Sequence, residues 1–258
     1  PVAVGLSLAA SMMSAATFII NPGLIALYGI SGVISMVVVL PIATLVSFVV
    51  ITKGFRKFGK SVKATTLSQW IGARFESPGY SLFFAFLSLL LITFIVLICV
   101  RLTKVVSKAL NAGELWVLVG IVVFIFGYMM FGGANSLVYT NTIQAVLMLV
   151  VAFVLLGSGY EHFSRGVHGF LDKLRAIDPN LATPTNQASF LFRDWFEIVF
   201  CQIVVGMAIV CQPHIMNKSL FLKSDKDMRR YLVVACVVVS VFFMVVTVGL
   251  FARIAFPD

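Results

Sequence analysis

Seven stretches of this chain are apolar over the length a helix needs to cross a lipid bilayer, and that pattern decides the fold class. A hydrocarbon core of about 30 Å takes about 20 helical residues. Span A covers residues 3–28 and is interrupted by Asn21-Pro22-Gly23; span B covers 32–52, with Pro41 in its middle. Span C runs 79–108 and span D 114–131. Gly132-Gly133-Ala134-Asn135 is expected to turn the chain into span E, 137–158; spans F and G cover 195–213 and 231–252. Composition agrees: 60% of the 258 residues are hydrophobic and 11% charged, where a soluble domain is about 25% charged. The expectation is an all-α, polytopic membrane protein with seven transmembrane helices, its solvent being lipid.

A net charge of +9 in a soluble protein would point to nucleic acid. Here no basic run is interleaved with stacking aromatics, so nucleic acid is not an expected partner. The basic residues cluster in two loops. The B–C loop holds Lys53, Arg56, Lys57, Lys60, Lys63 and Arg74 against Glu76; the F–G loop holds Lys218, Lys223, Lys226, Arg229 and Arg230 against Asp225 and Asp227. Seven alternating spans put both loops on one side, and the positive-inside rule makes that side cytoplasmic, in a cell membrane. Between B and C, the amphipathic run from Thr65 to Phe75 is expected to lie at the interface, anchored by Trp70. Residues 159–194 form a long outer loop broken by Gly166, Gly169, Pro179 and Pro184. A solvated loop is the first reading there; a metal site at His162, His168, Glu161 and Asp172 is the second. Cys99, Cys201, Cys211 and Cys236 match no metal-ligand spacing and read as small buried hydrophobes. The chain shows no signal-peptide pattern. It begins at Pro1 and ends soon after span G, which reads as part of a longer protein.

Polar groups inside the spans are costly, so their positions are informative. Span A carries Ser7, Ser11, Ser14, Thr17 and Asn21, with a small run from Ala9 to Ala15 at mid-membrane. Two readings compete. Small residues and hydroxyls allow close helix packing. A broken helix with freed carbonyls can instead hold an ion, as in many secondary transporters. Span F ends in Gln212-Pro213-His214, where the proline must kink or end the helix. Tyr139-Thr140-Asn141-Thr142-Ile143-Gln144 opens span E, and either caps it or lines a pathway. No HExxH, GxSxG, P-loop or strand-borne GxGxxG occurs, so no enzyme chemistry is expected. No lysine lies in span G to carry a retinal Schiff base.

Three of these stretches together resemble the sodium:solute symporter family: Gly5 to Ala15 in span A, Gly132-Gly133 with Tyr139 to Gln144, and Gln212-Pro213-His214-Ile215. Ile177 to Pro184 and Ala255 to Asp258 are similar to its pantothenate-transporting branch. The resemblance implies a ten-helix core of two inverted five-helix repeats, with a broken first helix. The chain, a single transmembrane domain over 1–258, would then hold the whole first repeat (1–158), the outer loop (159–194) and the start of the second repeat (195–258). It implies sodium as coupling ion and no other cofactor. Ala10 and Met13 would offer backbone carbonyls for half of the sodium site, and Ser11, Met12, Ser14, Asn141, Gln144, Val205, Ile209, Gln212 and Pro213 would line the substrate pathway. Proline symporters carry an aspartate at the position of Met12, and the family commonly has one at the position of Asn141; both are uncharged here. They also carry aromatics where Val205 and Ile209 stand, which argues against proline as the solute. Sodium-coupled symport of a small organic solute, a carboxylate such as pantothenate, is the resulting expectation. A symporter-like sensory membrane domain and a proton-coupled transporter are the alternatives.

Overall fold

In a computed structural model, residues 2–13, 16–62, 66–164, 166–216 and 225–257 are described. They form helices and connecting segments, with no strand among them. Five helical stretches are long and apolar enough to cross a membrane: Ile30–Phe55, Pro78–Leu110, Glu114–Gly132, Val138–Phe163 and Lys226–Ala255. Two shorter apolar helices, Val2–Met12 and Phe196–Val210, stand in spans A and F. All seven expected spans are therefore occupied by apolar helix, and the protein is an all-α polytopic membrane protein.

The breaks are more informative than the spans. Span A consists of α1 (Val2–Met12), a π turn (Ala16–Ile20) and α2 (Asn21–Tyr28). The interruption expected at Asn21-Pro22-Gly23 lies earlier: α1 stops at Met12 and Met13 is outside any helix. Pro22 sits in the first turn of α2, where its missing N–H costs little. Ile20 before it is already in right-handed helical conformation, so α2 continues the π turn. Span B holds α3 (Ile30–Val33), a second π turn (Ile34–Val39) and α4 (Leu40–Val62). Pro41 falls just after that π turn, which absorbs the lost hydrogen bond. Span F repeats the device with a third π turn (Phe196–Cys201), then α9 (Gln202–Val210). Pro213 does end it and opens the short α10 (Pro213–Met216). Span G is α11 (Asp225–Val245) and α12 (Val248–Ala255).

The protein packs as two units, residues 1–56 with 141–258, and residues 57–140. In the second, the run expected to be an interfacial segment forms α5 (Leu67–Arg74), its first turn capped by Thr66, which accepts from the Gln69 N–H at 3.3 Å. It packs on α6 (Pro78–Leu110), a helix exposed along most of its apolar length, as a lipid-facing span is. The turn expected at Gly132-Gly133-Ala134-Asn135 is absent: α7 runs unbroken from Glu114 to Gly157. Glycine weakens a helix by about 1 kcal/mol per residue, and strong apolar helix formers on both sides outweigh two of them.

In the first unit the elements of spans A, B, F and G pack on one another. α1 lies along α11, α2 along α12, and the Ile34–Val39 turn against both α9 and the Phe196–Cys201 turn. Three glycines permit this. A Cβ on Gly5 would stand 3.0 Å from the Val234 side chain, on Gly206 2.9 Å from the Thr44 backbone nitrogen, and on Gly249 2.0 Å from the Pro22 carbonyl oxygen. Small residues at such crossings are how helices approach in lipid.

The solvated-loop reading of residues 159–194 is corrected. This segment folds as a 3₁₀ turn (Tyr160–Phe163), α8 (Gly166–Ile177), a second 3₁₀ turn (Pro179–Ala182) and a compact return. α8 buries Phe170 and Leu174 in a core with Ile25, Met36, Leu181, Phe192, Ile198, Leu250 and Phe251. Leu181 is seated against Gly29, and the Asn186 Nδ2 donates to the Tyr28 carbonyl at 3.3 Å. At its far end, Arg193 is bonded through Nε (2.9 Å) and a terminal nitrogen to Glu197. That hydrogen bond pushes the Arg193 guanidinium up from its ordinary value. Apolar pattern on the buried face of α8, read as loop because of its flanking glycines and prolines, is what seats it.

Candidate functional site

The end of α1 is the focus. Gly5 lets α1 lie close to α11, and Ser7, Leu8, Ala9 and Ala10 are buried as a result. Ala10 is 2% exposed and belongs to the last turn, where carbonyls point beyond the helix end. Met13, 6% exposed, follows the end. The two residues expected to offer carbonyls thus flank the break, both inside the bundle. Met13 belongs to one apolar cluster with Ala9, Leu40, Val238, Val239, Phe242 and Phe243, against which Met12, Phe18 and Ile209 pack. Phe18 and Phe242 meet edge-on, with ring centroids 5.9 Å apart.

Two polar ties reach this helix from α7. Asn141 Nδ2 donates to Ser11 Oγ at 3.2 Å, and Ser11 Oγ donates to the Ser7 carbonyl at 2.8 Å. Thr142 Oγ1 donates to the Ala3 carbonyl at 3.0 Å. Asn141 and Ser11 are therefore brought together, and Met12 and Ile209 pack on the cluster that holds Met13. Gln144 is not: it is exposed and donates to Met148 Sδ at 3.7 Å on its own helix. Val205 is exposed too, about 100° around α9 from buried Gly206. Gln212 and Pro213 form the break between α9 and α10; the Gln212 carbonyl accepts from the N–H groups of Ile215 (3.0 Å) and Met216 (3.1 Å). α10 in turn packs against α1. Ser14 lies outside the described residues, as do Lys63, Thr65, Lys218 and Lys223.

Residues 1–52 contain no Asp, Glu, His, Lys or Arg. A cation held at the end of α1 would therefore be met by carbonyl and hydroxyl dipoles, the hard oxygen donors that a sodium-sized ion takes. Among the described residues no three His, Cys, Asp or Glu converge on a metal position. In the outer segment the His162 ring faces Phe251, its carbonyl accepts from Lys173 Nζ (3.4 Å), and Asp172 pairs with Arg175 (3.1 Å). These groups do not converge on one point.

Sequence reasoning passed over the buried hydroxyls of Ser35, Thr44, Thr52 and Tyr231, none with a hydrogen-bond partner among the described residues. Ser35 stands in the second π turn, and Thr44 stands where Gly206 presses on α4. The signal was present as isolated hydroxyls in apolar runs, but nothing local separates these from Thr residues that face lipid.

The sodium:solute symporter family model matches residues 1–257. The sodium/pantothenate symporter of Escherichia coli is 28% identical over 264 residues, covering 100% of this chain and 53% of that protein. The Haemophilus influenzae sodium/pantothenate symporter is 25% identical over 241 residues, covering 92% and 48%. Mouse sodium/myo-inositol cotransporter 2 is 25% identical over 223 residues, covering 76% and 32%. The chain spans about half the length of the bacterial relatives. No solved structure matches it.

Proposed function

Because the chain belongs to the sodium:solute symporter family, we propose that it is part of a secondary active transporter that couples sodium entry to uptake of a small organic carboxylate such as pantothenate. The observation that carries this reading is the break after Met12, with Ala10 and Met13 buried on either side of it in a bundle half that has no ionised side chain. Half of a sodium site is formed by the Ala10 and Met13 carbonyls. Met12 and Ile209 give the solute an aliphatic wall, and Gln212 at the α9 break supplies a polar group near it. Spans A to E correspond to one repeat of the family fold, with D and E carried here by the single helix α7; F and G open its inverted partner, and the bundle of A, B, F and G rocks as alternating access requires. The basic B–C loop faces the cytoplasm. Similarity to two sodium/pantothenate symporters supports the solute class.

The test is uptake in proteoliposomes by the full-length protein, offered labelled pantothenate and a panel of short organic acids. Accumulation under a sodium gradient is expected. Accumulation under a proton gradient alone, or a binding signal with no uptake, would overturn it in favour of proton coupling or a sensory role. A second expectation concerns the ion site itself. Ala10→Leu should raise the sodium concentration for half-maximal uptake by about tenfold or more, because a packed helix end must shift to take the added carbons. An unchanged sodium dependence would remove Ala10 from the site.

A further inference from the structure

We propose that Asn141 is a positioning residue for the cation site: acting through Ser11, it fixes the last turn of α1 and with it the direction of the Ala10 carbonyl. The inference rests on the placement of the ion at Ala10 and Met13 argued above. Its own ground is a directed series of hydrogen bonds. A serine hydroxyl has one hydrogen. Ser11 gives it to the Ser7 carbonyl at 2.8 Å, so towards Asn141 its oxygen can only accept. The side-chain amide of Asn141, with two N–H donors, supplies what that oxygen requires at 3.2 Å. The order is amide to hydroxyl to carbonyl, every group in its proper sense.

The next residue adds a second point of attachment. Thr142 Oγ1 holds the Ala3 carbonyl at 3.0 Å. Ala3 and Ser11 are about 12 Å apart along a helix at 1.5 Å per residue. Two consecutive residues of α7 therefore grip α1 near its start and near its end. α1 has 11 residues, shorter than an isolated helix needs to persist, so its terminal turn takes its direction from its neighbours. The same face of α7 is buried at Ala145 and Ala152, and Ala152 shares a cluster with Ala9. Ile143, Gln144, Val146 and Leu147 face away and are exposed. Asn141 acts through Ser11 on the backbone that would hold the ion.

The experiment compares Ser11→Ala, Asn141→Leu, their double variant and Ser11→Thr in the full-length protein. It reads the sodium and solute concentrations for half-maximal uptake, and thermal unfolding in detergent. Each single change is expected to raise the sodium half-saturation about five- to tenfold, the cost of a lost buried hydrogen bond. Solute half-saturation at saturating sodium should move less than about twofold, since uniform solute binding is untouched. The double variant should be no worse than the worse single one, and Ser11→Thr, which keeps the hydroxyl, should restore the wild-type sodium dependence. Additive effects of the two singles, a fall in maximal rate at unchanged sodium half-saturation, or a Ser11→Thr variant as impaired as Ser11→Ala would each overturn the proposal. If the wild type shows no sodium-dependent uptake, the functional reading itself fails. The unfolding measurements still decide the tie in that case: non-additive shifts support the Asn141–Ser11 pair, and additive shifts refute it.

Discussion

Gly29→Ala is expected to remove most of the folded protein, a loss of more than about 3 kcal/mol. Two independent effects combine at this position. Gly29 has φ +71° and ψ −139°, a backbone region that side chains with a Cβ rarely adopt. A Cβ there would also lie 2.0 Å from the Leu181 carbonyl oxygen, 2.5 Å from its Cα and 2.6 Å from its carbonyl carbon. All three are backbone atoms, so no side chain can swing away. Leu181 itself cannot withdraw cheaply. It is 1% exposed in the core with Ile25 and Phe192, and its turn is held by Asp178, whose carboxylate accepts from the Asn180 N–H at 2.8 Å. The measurement is the monodisperse yield and melting temperature of the detergent-extracted protein. Gly23→Ala is the control, because a Cβ on Gly23, inside α2, meets nothing within 4 Å. Equal behaviour of the two variants would show that the outer segment is not seated on the A–B turn.

Gly249→Ala carries the second large effect, about 3 kcal/mol from overpacking at a helix crossing. Its Cβ would stand 2.0 Å from the Pro22 carbonyl oxygen and 2.8 Å from the carbonyl carbon, so α12 and α2 would have to part along their length. Gly5→Ala gives the scale. There the nearest atom is a Val234 side-chain carbon at 3.0 Å, with the Tyr231 carbonyl oxygen at 3.2 Å, and a small shift of α11 suffices. Melting should therefore fall steeply for Gly249→Ala and mildly for Gly5→Ala. The reverse order would mean that α2 and α12 are not in this register.

These two glycines show where reading from sequence stops. Among the described residues the apolar runs located the five long apolar stretches and the two shorter ones, because a requirement for about 20 apolar residues is local, though spans D and E share one helix. Pro213 ended its helix as proline chemistry demands. Span A was different. Asn21-Pro22-Gly23 has the composition of a break, yet proline in a first turn is compatible with helix, and the break comes after Met12, where no residue forbids helix. Tertiary packing decided that. The outer segment was misread for the opposite reason: its glycines and prolines hid an apolar face on α8 that only Ile25, Phe192 and Phe251 could satisfy. Gly132-Gly133 suggested a turn that α7 does not take. Of the candidate site residues, Met13 lies in one apolar cluster with Met12 and Ile209 packed against it, and Ser11 is tied to Asn141, while Gln144 and Val205 are exposed. The Asn141–Ser11 tie joins residues 130 positions apart, and no local pattern announces such a pair.

The π turns at Ala16–Ile20, Ile34–Val39 and Phe196–Cys201 carry a consequence for how this protein can change length. A π turn is an α-helix with one residue too many, the form an insertion takes when the rest of the helix keeps its place. Removing one residue from Ile34–Val39 would restore regular hydrogen bonding locally. Because the wide turn takes up the surplus residue, Thr44 would stay at Gly206 and Phe48 at the Tyr231 ring it meets at 5.7 Å. The surplus residue is thus absorbed where it stands. The turn lets span B carry an added residue with the faces of both helix halves unchanged, so a homologous protein can lack that residue and keep the same packing.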